Sequence, residues 1–248
     1  MKVELLAYTK MDNLNRAVIR EHSPKMGEDW ISSDADLLSE FAGRACYQAF
    51  HKPNPKTAAN QDYLKNILDQ GHFSVLEHSS ATFYVTGVSR ALTHELIRHR
   101  HLSFSELSQR FVNVEVAEMV TPPALNDVDP RMETELGSED GCYIFKVDDL
   151  IPVVRDYARD SYNEIVRILT EKGLTRKQAR EAARAVMPNA TETRIVVTGN
   201  MRAWRDMLHK RYSVHADAEI REFAAEILRQ LKQIAPGQFQ DFPEAPFE

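Results

Sequence analysis

Hydrophobic positions along the chain follow two periods, and each period marks its own elements. Over residues 80–88, Ala81, Phe83 and Val85 alternate with Thr82, Tyr84 and Thr86, which predicts a strand. Residues 3–8 predict a first strand, and the β-branched run 191–198 gives the strongest strand signal. A helical period over 34–46 links Leu37, Leu38, Phe41, Ala42, Ala45 and Cys46, so Cys46 is expected on a buried stripe as an inert thiol. A helix over 60–69 should stop at Gly71, and Ser89 should cap one running through Leu92, Leu96 and Ile97. Leu150, Val153, Val154, Tyr157, Ile165, Ile168 and Leu169 describe a long amphipathic helix. Thr175 and Gln178 form a capping-box pattern for a helix that ends before Pro188. Asn200 is placed to cap a helix through Arg211, and Ile220, Phe223, Ala224, Ile227, Leu228, Leu231 and Ile234 mark the last one. Residues 126–149 are acidic and weakly periodic, a solvated and partly helical insertion, while the proline-bearing stretch 235–248 is expected to be extended. Strands and helices mix without regular βαβ alternation, so the expected class is α+β, one domain over 1–248.

A net charge of −6 removes the electrostatic footprint of a nucleic-acid coater, so basic residues have to be read locally. The two cysteines, Cys46 and Cys142, have no C-x-x-C spacing, which fits a reducing compartment. Cys142 stands among acidic residues that would raise its pKa. The apolar run in MKVELLAYTK is too short for a signal peptide, and no window approaches the roughly 20 apolar residues of a membrane span. The expectation is an unprocessed cytoplasmic protein without membrane or nucleic-acid partners.

The densest polar chemistry lies in RHRHLSFSELSQRF, residues 98–111. His94 and Glu95 followed by His99 approach the zinc-binding H-E-x-x-H motif. The histidines are one position too far apart, however, and diverge by about 140° on a helix, so no metal site is expected. Arg98, His99 and Arg100 could be cations at a helix C-terminus, where they complement the dipole. Consecutive residues cannot face one point, so the other reading has them fan out around a large anion. Ser103, Ser105, Glu106, Ser108, Gln109 and Arg110 then follow as clustered donors and acceptors. Ser103 and Glu106 could be a simple capping box, and a helix start would also offer free N–H groups to a phosphate. Lys177, Arg180 and Arg184 share a helix face that reads as solvated. Arg211 shares a stripe with Trp204, Met207 and Leu208, where a guanidinium needs a carboxylate, a ligand or another subunit.

With RHR and Ser108, preceded by GHFSVLEH and followed by MPNATETR, NMRAW and HADAEIREFA, the chain resembles the flavin-dependent thymidylate synthase family over most of its length. The resemblance implies an α+β fold with a central, mostly antiparallel sheet flanked by helices, assembled as a homotetramer with active sites between subunits. It implies reductive methylation of dUMP to dTMP, with 5,10-methylenetetrahydrofolate as carbon donor, NADPH as reductant through FAD, and no cysteine nucleophile. Carried over by position, Ser74, Arg98, His99, Arg100, Glu106, Asn200, Met201, Arg202 and Asp206 would meet FAD. Glu95, Arg98, Glu106, Leu107, Ser108, Gln109, Arg110, Arg184 and Arg211 would meet dUMP, residues 106–110 serving a neighbouring subunit, with Arg211 stabilising charge on the uracil ring. The chain has Phe104 and Phe111 where the family pattern has Tyr, Ser105 where it has Asn, and Asp206 where it has His or Asn. The substitutions at Phe104, Ser105 and Phe111 support an alternative, a flavin- and nucleotide-binding sensor of weak activity.

Overall fold

Strand β2 (Ser80–Ser89) buries Ala81, Phe83 and Val85 on one face, as the alternation predicts, and is an inner strand of a four-stranded sheet. The computed structural model describes residues 1–12, 32–50, 54–138 and 141–248, and at 135–138 and 141–143 it describes the backbone alone. The sheet has the order β1-β2-β6-β3, with β1 at Lys2–Tyr8, β3 at Ser103–Glu106 and β6 at Glu192–Asn200. Its pairings are antiparallel. The Thr9 N–H donates to the Ser80 carbonyl at 3.0 Å, the Thr82 and Thr198 hydroxyls lie 2.9 Å apart, and the Leu107 N–H donates to the Arg194 carbonyl at 3.0 Å. The fold is therefore α+β, as expected. Contacts divide the chain into a first unit (residues 1–2, 85–96 and 105–195) and a second (3–84, 97–104 and 196–248).

In the second unit, helix α1 (Asp34–Tyr47) buries Leu37 of the expected stripe, half-buries Leu38, Phe41, Ala42 and Ala45, and gives its innermost positions to charged residues as well. Asp36, Glu40 and Arg44, at i, i+4 and i+8, are at most 4% exposed, and Cys46 is exposed. The expectation of a buried Cys46 thus fails, because the helix turns toward residues that satisfy its charges. Glu40 accepts from Arg44 Nε at 2.7 Å and from Asn60 Nδ2 at 2.8 Å, and Arg44 Nη2 donates to the Thr57 carbonyl at 2.8 Å. Asp36 accepts from the N–H groups of Gly237 (2.9 Å) and Gln238 (3.2 Å), which ties the C-terminal stretch to this helix. The stretch expected to be extended accordingly forms a 3-10 turn at Pro236–Phe239 and buries Phe239 and Phe242. Helix α2 (Asn60–Asp69) ends as predicted, with Gly71 at φ +68°, a conformation that suits glycine.

In the first unit, Ser89 caps α3 (Arg90–Leu96) by accepting from the Leu92 N–H at 3.1 Å. The acidic insertion begins at the end of a 3-10 turn (Pro123–Asp127) and its last residues open an α-helix at Val147, so it is partly helical as read. Between them lies an antiparallel hairpin of β4 (Glu133–Ser138) and β5 (Gly141–Lys146), with Glu133 opposite Lys146 and Ser138 opposite Gly141. A two-stranded ribbon buries little, so its sequence carries little apolar alternation to reveal it. The environment of the Cys142 side chain lies outside what is described. Helix α4 (Val147–Glu171) packs Tyr162, Ile165 and Val166 with Val114 and Ala183, the last from α5 (Arg176–Ala183). Both capping-box bonds between Thr175 and Gln178 are present.

Burial pushes the Asp36 carboxyl up to about 6, against the opposing bonds from Gly237, Ser33 and Gln238. The folded state then holds this proton more tightly than the unfolded chain, whose value is near 3.8, so Asp36 lowers stability as pH rises between these values. In Asp36→Asn the pH dependence of the unfolding free energy measured by urea denaturation should lose, between about pH 4 and 6, a slope of up to about 1.4 kcal/mol per pH unit. An unchanged slope would show that Asp36 does not titrate there.

Candidate functional site

Helix α6 (Met201–Arg211) begins directly at the end of β6, and its cap is the one predicted: Asn200 Oδ1 accepts from the Ala203 N–H at 2.8 Å. Gly199 just before it allows a close approach, since a Cβ there would lie 2.3 Å from the Leu102 side chain. Trp204, Met207 and Leu208 are fully buried. Four-residue spacing brings Arg202, Asp206 and Lys210 to the other side. There Asn200, Arg202, Ala203 and Asp206 line a cavity of about 370 Å³ together with Glu77 and His101. A second cavity of about 320 Å³ takes in Cys46, Tyr47, Tyr63, His72 and Ser74, and Arg202 lines both. Met201 is fully buried beneath, so its side chain is withheld from a ligand.

The RHR run lies in a turn between α3 and β3, not within a helix. Arg98 and Arg100 are exposed while His99 is 6% exposed, so the three side chains do diverge. The His99 ring lies between two residues of α6. Arg211 Nε donates to His99 Nε2 at 3.1 Å, and His99 Nδ1 is 3.7 Å from Asp206 Oδ2. One partner of the half-buried Arg211 is therefore an imidazole, which the stripe argument did not anticipate. Burial and then the Arg211 charge lower the His99 pKa, with Asp206 opposing. Asp206 is itself gripped by Lys210 Nζ at 2.7 Å from each oxygen; burial raises its pKa, but Lys210 and His99 together bring it below the usual carboxylate value. The repulsion that a carboxylate at 206 would exert on an anionic ligand is thus balanced.

Ser103 and Glu106 are not a capping box. They belong to the strand β3, where Ser103 and Ser105 are exposed and Phe104 and Glu106 half-buried, a period of two within four residues that was too short to detect. No helix start offers N–H groups to a phosphate there. Glu106 accepts from Arg90 Nη1 at 3.1 Å and from the Thr93 hydroxyl at 2.9 Å, so its charge is also matched. Past the strand, Gln109 is buried and the Ser108 carbonyl accepts from the Val112 N–H at 2.9 Å, closing a turn. The stripe on α5 is solvated at Lys177 and Arg184, as read, while its half-buried member Arg180 braces that turn. Arg180 Nη1 donates to the Phe111 carbonyl at 2.7 Å, Lys177 Nζ is 4.9 Å from the Phe111 ring centre, and Arg110 is 4.0 Å from Glu181. Arg184, the third member, is exposed, and Glu95 is half-buried.

The expected site residues therefore fall in two sets. Ser74, Arg98, His99, Arg100, Asn200, Met201, Arg202, Asp206 and Arg211 belong to the second unit; Glu95, Glu106, Leu107, Ser108, Gln109, Arg110 and Arg184 belong to the first. Sequence reasoning missed Glu77, His101 and Lys210. The first two sit inside the quoted motifs GHFSVLEH and RHRH, a signal of place but not of role. Glu77 forms an ion pair with Arg202, the residue common to both cavities.

A family model described as thymidylate synthase complementing protein matches residues 30–237. The flavin-dependent thymidylate synthase of Mycobacterium avium (strain 104) is 52% identical over 221 residues, 85% of this chain and 82% of that protein. That of Mycolicibacterium gilvum (strain PYR-GCK) is 49% identical over 252 residues, 98% of this chain and 90% of that protein. That of Mycobacterium tuberculosis (strain ATCC 25177 / H37Ra) is 52% identical over 221 residues, again 85% and 82%.

An anion entering these cavities competes with Glu77 for Arg202. Glu77→Gln should tighten flavin binding by about threefold or more, read by quenching of flavin fluorescence. Weaker or unchanged binding would show that Glu77 holds Arg202 in place instead.

Proposed function

The chain belongs to the thymidylate synthase complementing protein family, whose relatives described above are flavin-dependent thymidylate synthases, and from that membership we propose how this enzyme methylates dUMP to dTMP. The carbon donor is 5,10-methylenetetrahydrofolate, and NADPH is the source of reducing equivalents. The cofactor is a flavin, and we assign it as FAD. The active form is a single-domain homotetramer in the cytoplasm, with sites between subunits. Among the described residues no helix is long and apolar enough to cross a membrane.

The observation that carries this reading is the cavity at the start of α6. Its donors suit a phosphate-bearing planar group: the Arg202 guanidinium, the His101 imidazole and the positive end of the helix dipole. The two carboxylates in its wall, Glu77 and Asp206, are matched by Arg202 and Lys210. Ser74, in the second cavity with Tyr47 and Tyr63, extends the surface available to a dinucleotide. When bound, the flavin supplies the two-electron redox chemistry. The protein's part is to bind, orient and polarise.

Arg98 and Arg100 have exposed guanidinium groups for the pyrophosphate and the nucleotide. Ser108, Gln109, Arg110 and Arg184, with Glu95, hold dUMP, and residues 106–110 serve a neighbouring subunit. Arg90 holds the Glu106 charge, so that carboxylate does not repel the nucleotide phosphate. Arg211, oriented by His99, faces the uracil ring and stabilises negative charge there. Such preorganised electrostatics is often the largest catalytic contribution. No thiol is needed, and Cys46 acts at most as part of a cavity wall.

The purified protein should release tritium from dUMP labelled at the carbon to be methylated, dependent on methylenetetrahydrofolate and NADPH; no release with all partners present would refute the assignment. Arg211→Ala should lower kcat by about 10²-fold or more while FAD stays bound. Cys46→Ala should retain turnover, and its loss in a folded variant would revive a thiol mechanism.

A further inference from the structure

Arg211 reaches His99 through an Nε–H, which can only donate, so the ring nitrogen that receives it must carry a lone pair. The His99 proton therefore resides on Nδ1, the nitrogen that faces the Asp206 carboxylate at 3.7 Å. In the opposite tautomer Nε2–H would point at the Arg211 Nε–H, two donors in contact, and Nδ1 would turn a lone pair toward a carboxylate. Both changes are unfavourable in a ring that is only 6% exposed. Asp206 accepts from Lys210 at both oxygens, which favours this placement of the carboxylate.

We propose that Asp206 is a positioning residue: acting at Nδ1 as the Arg211 donor acts at Nε2, it stabilises the Nδ1–H tautomer of His99 and so holds the Arg211 guanidinium in the orientation the substrate requires. The proposal rests on the reading that Arg211 faces the dUMP ring. It gives Asp206 a role through His99 in addition to any contact with the flavin. The lowered pKa of His99 supports it, because a neutral ring is the form able to accept from Arg211. A carboxylate also selects more strictly than an amide would. It has acceptors only, whereas an amide can flip and donate to Nδ1, which permits the wrong tautomer.

The test uses the flavin-loaded enzyme with 15N-labelled histidine, the His99 signals being identified by their loss in His99→Gln. The wild-type enzyme should show His99 protonated at Nδ1. In Asp206→Leu the tautomers should become mixed, and kcat at saturating FAD and dUMP should fall by about tenfold or more. Asp206→Asn, which keeps an acceptor of similar size, should lie between the two in both measurements and covers the case in which the leucine variant does not fold. An Nδ1–H tautomer that persists in Asp206→Asn or Asp206→Leu would overturn the proposal. So would a shifted tautomer with unchanged kcat. Wild-type turnover in Arg211→Ala would instead sink the catalytic reading of Arg211, while the tautomer measurement would still decide whether Asp206 orders the pair.

Discussion

The fixed rotation of α6 is the constraint on which the second unit's chemistry depends, and the buried Trp204 sets it. The indole stands edge-on to Phe83 at 5.2 Å and donates through Nε1 to the Ala81 carbonyl at 3.2 Å. Stacking, burial and a directional bond together leave it little freedom. Helical geometry does the rest: with Trp204, Met207 and Leu208 inside, Arg202, Asp206 and Lys210 line up on the opposite side. Arg211, at the last turn, comes within reach of His99. A slip of one residue at the β6–α6 junction would turn all of these away, which gives structural meaning to the Asn200 cap and to the missing side chain at Gly199.

Buried charge is a second organising feature of this unit. Arg205, 3% exposed, forms a bidentate pair with Asp241 at 2.6 and 2.7 Å, donates to the Gln238 carbonyl, and lies within 6 Å of the Phe73, Phe239 and Phe242 rings. Asp36, Glu40 and Arg44 form another such group. Removing one partner from a buried pair typically costs about 3–5 kcal/mol, whereas replacing a whole group by packed apolar residues can be neutral. Their effect is therefore better described as selection of one arrangement, in which the C-terminal segment is bonded to α1 through Asp36 and to α6 through Arg205.

An acidic protein that handles anionic ligands has to prevent its own carboxylates from opposing them. Among the described residues, carboxylates next to residues assigned to ligands are paired with cations: Glu77 with Arg202, Asp206 with Lys210, Glu106 with Arg90 and, at 4.0 Å, Glu181 with Arg110. These pairs differ in exposure and hence in what they can do. Arg202 and Glu77 are both about half exposed, so a phosphate can displace that carboxylate at little cost. Arg90 and Glu106 are about one-fifth exposed and suit a fixed role beneath the turn that Arg180 braces.

Short-range signals were legible in the sequence because their causes are short-range. The caps at Ser89, Thr175 and Asn200, the stop at Gly71, the alternation in β2 and the apolar face of α7 (Ala218–Ile234) each depend on residues close together in the chain, and all are present. The family motifs were legible too, and located most of the cavity wall. The rest depended on partners distant in the chain. The buried face of α1 is partly polar because residues some 200 positions away supply N–H groups to Asp36, and β3 is a strand because a neighbouring strand 87 positions on accepts its last bond. The same holds at the site. Arg211 and His99 are 112 positions apart, so sequence could state that a guanidinium on an apolar stripe needs a partner, while only the tertiary structure could choose which one.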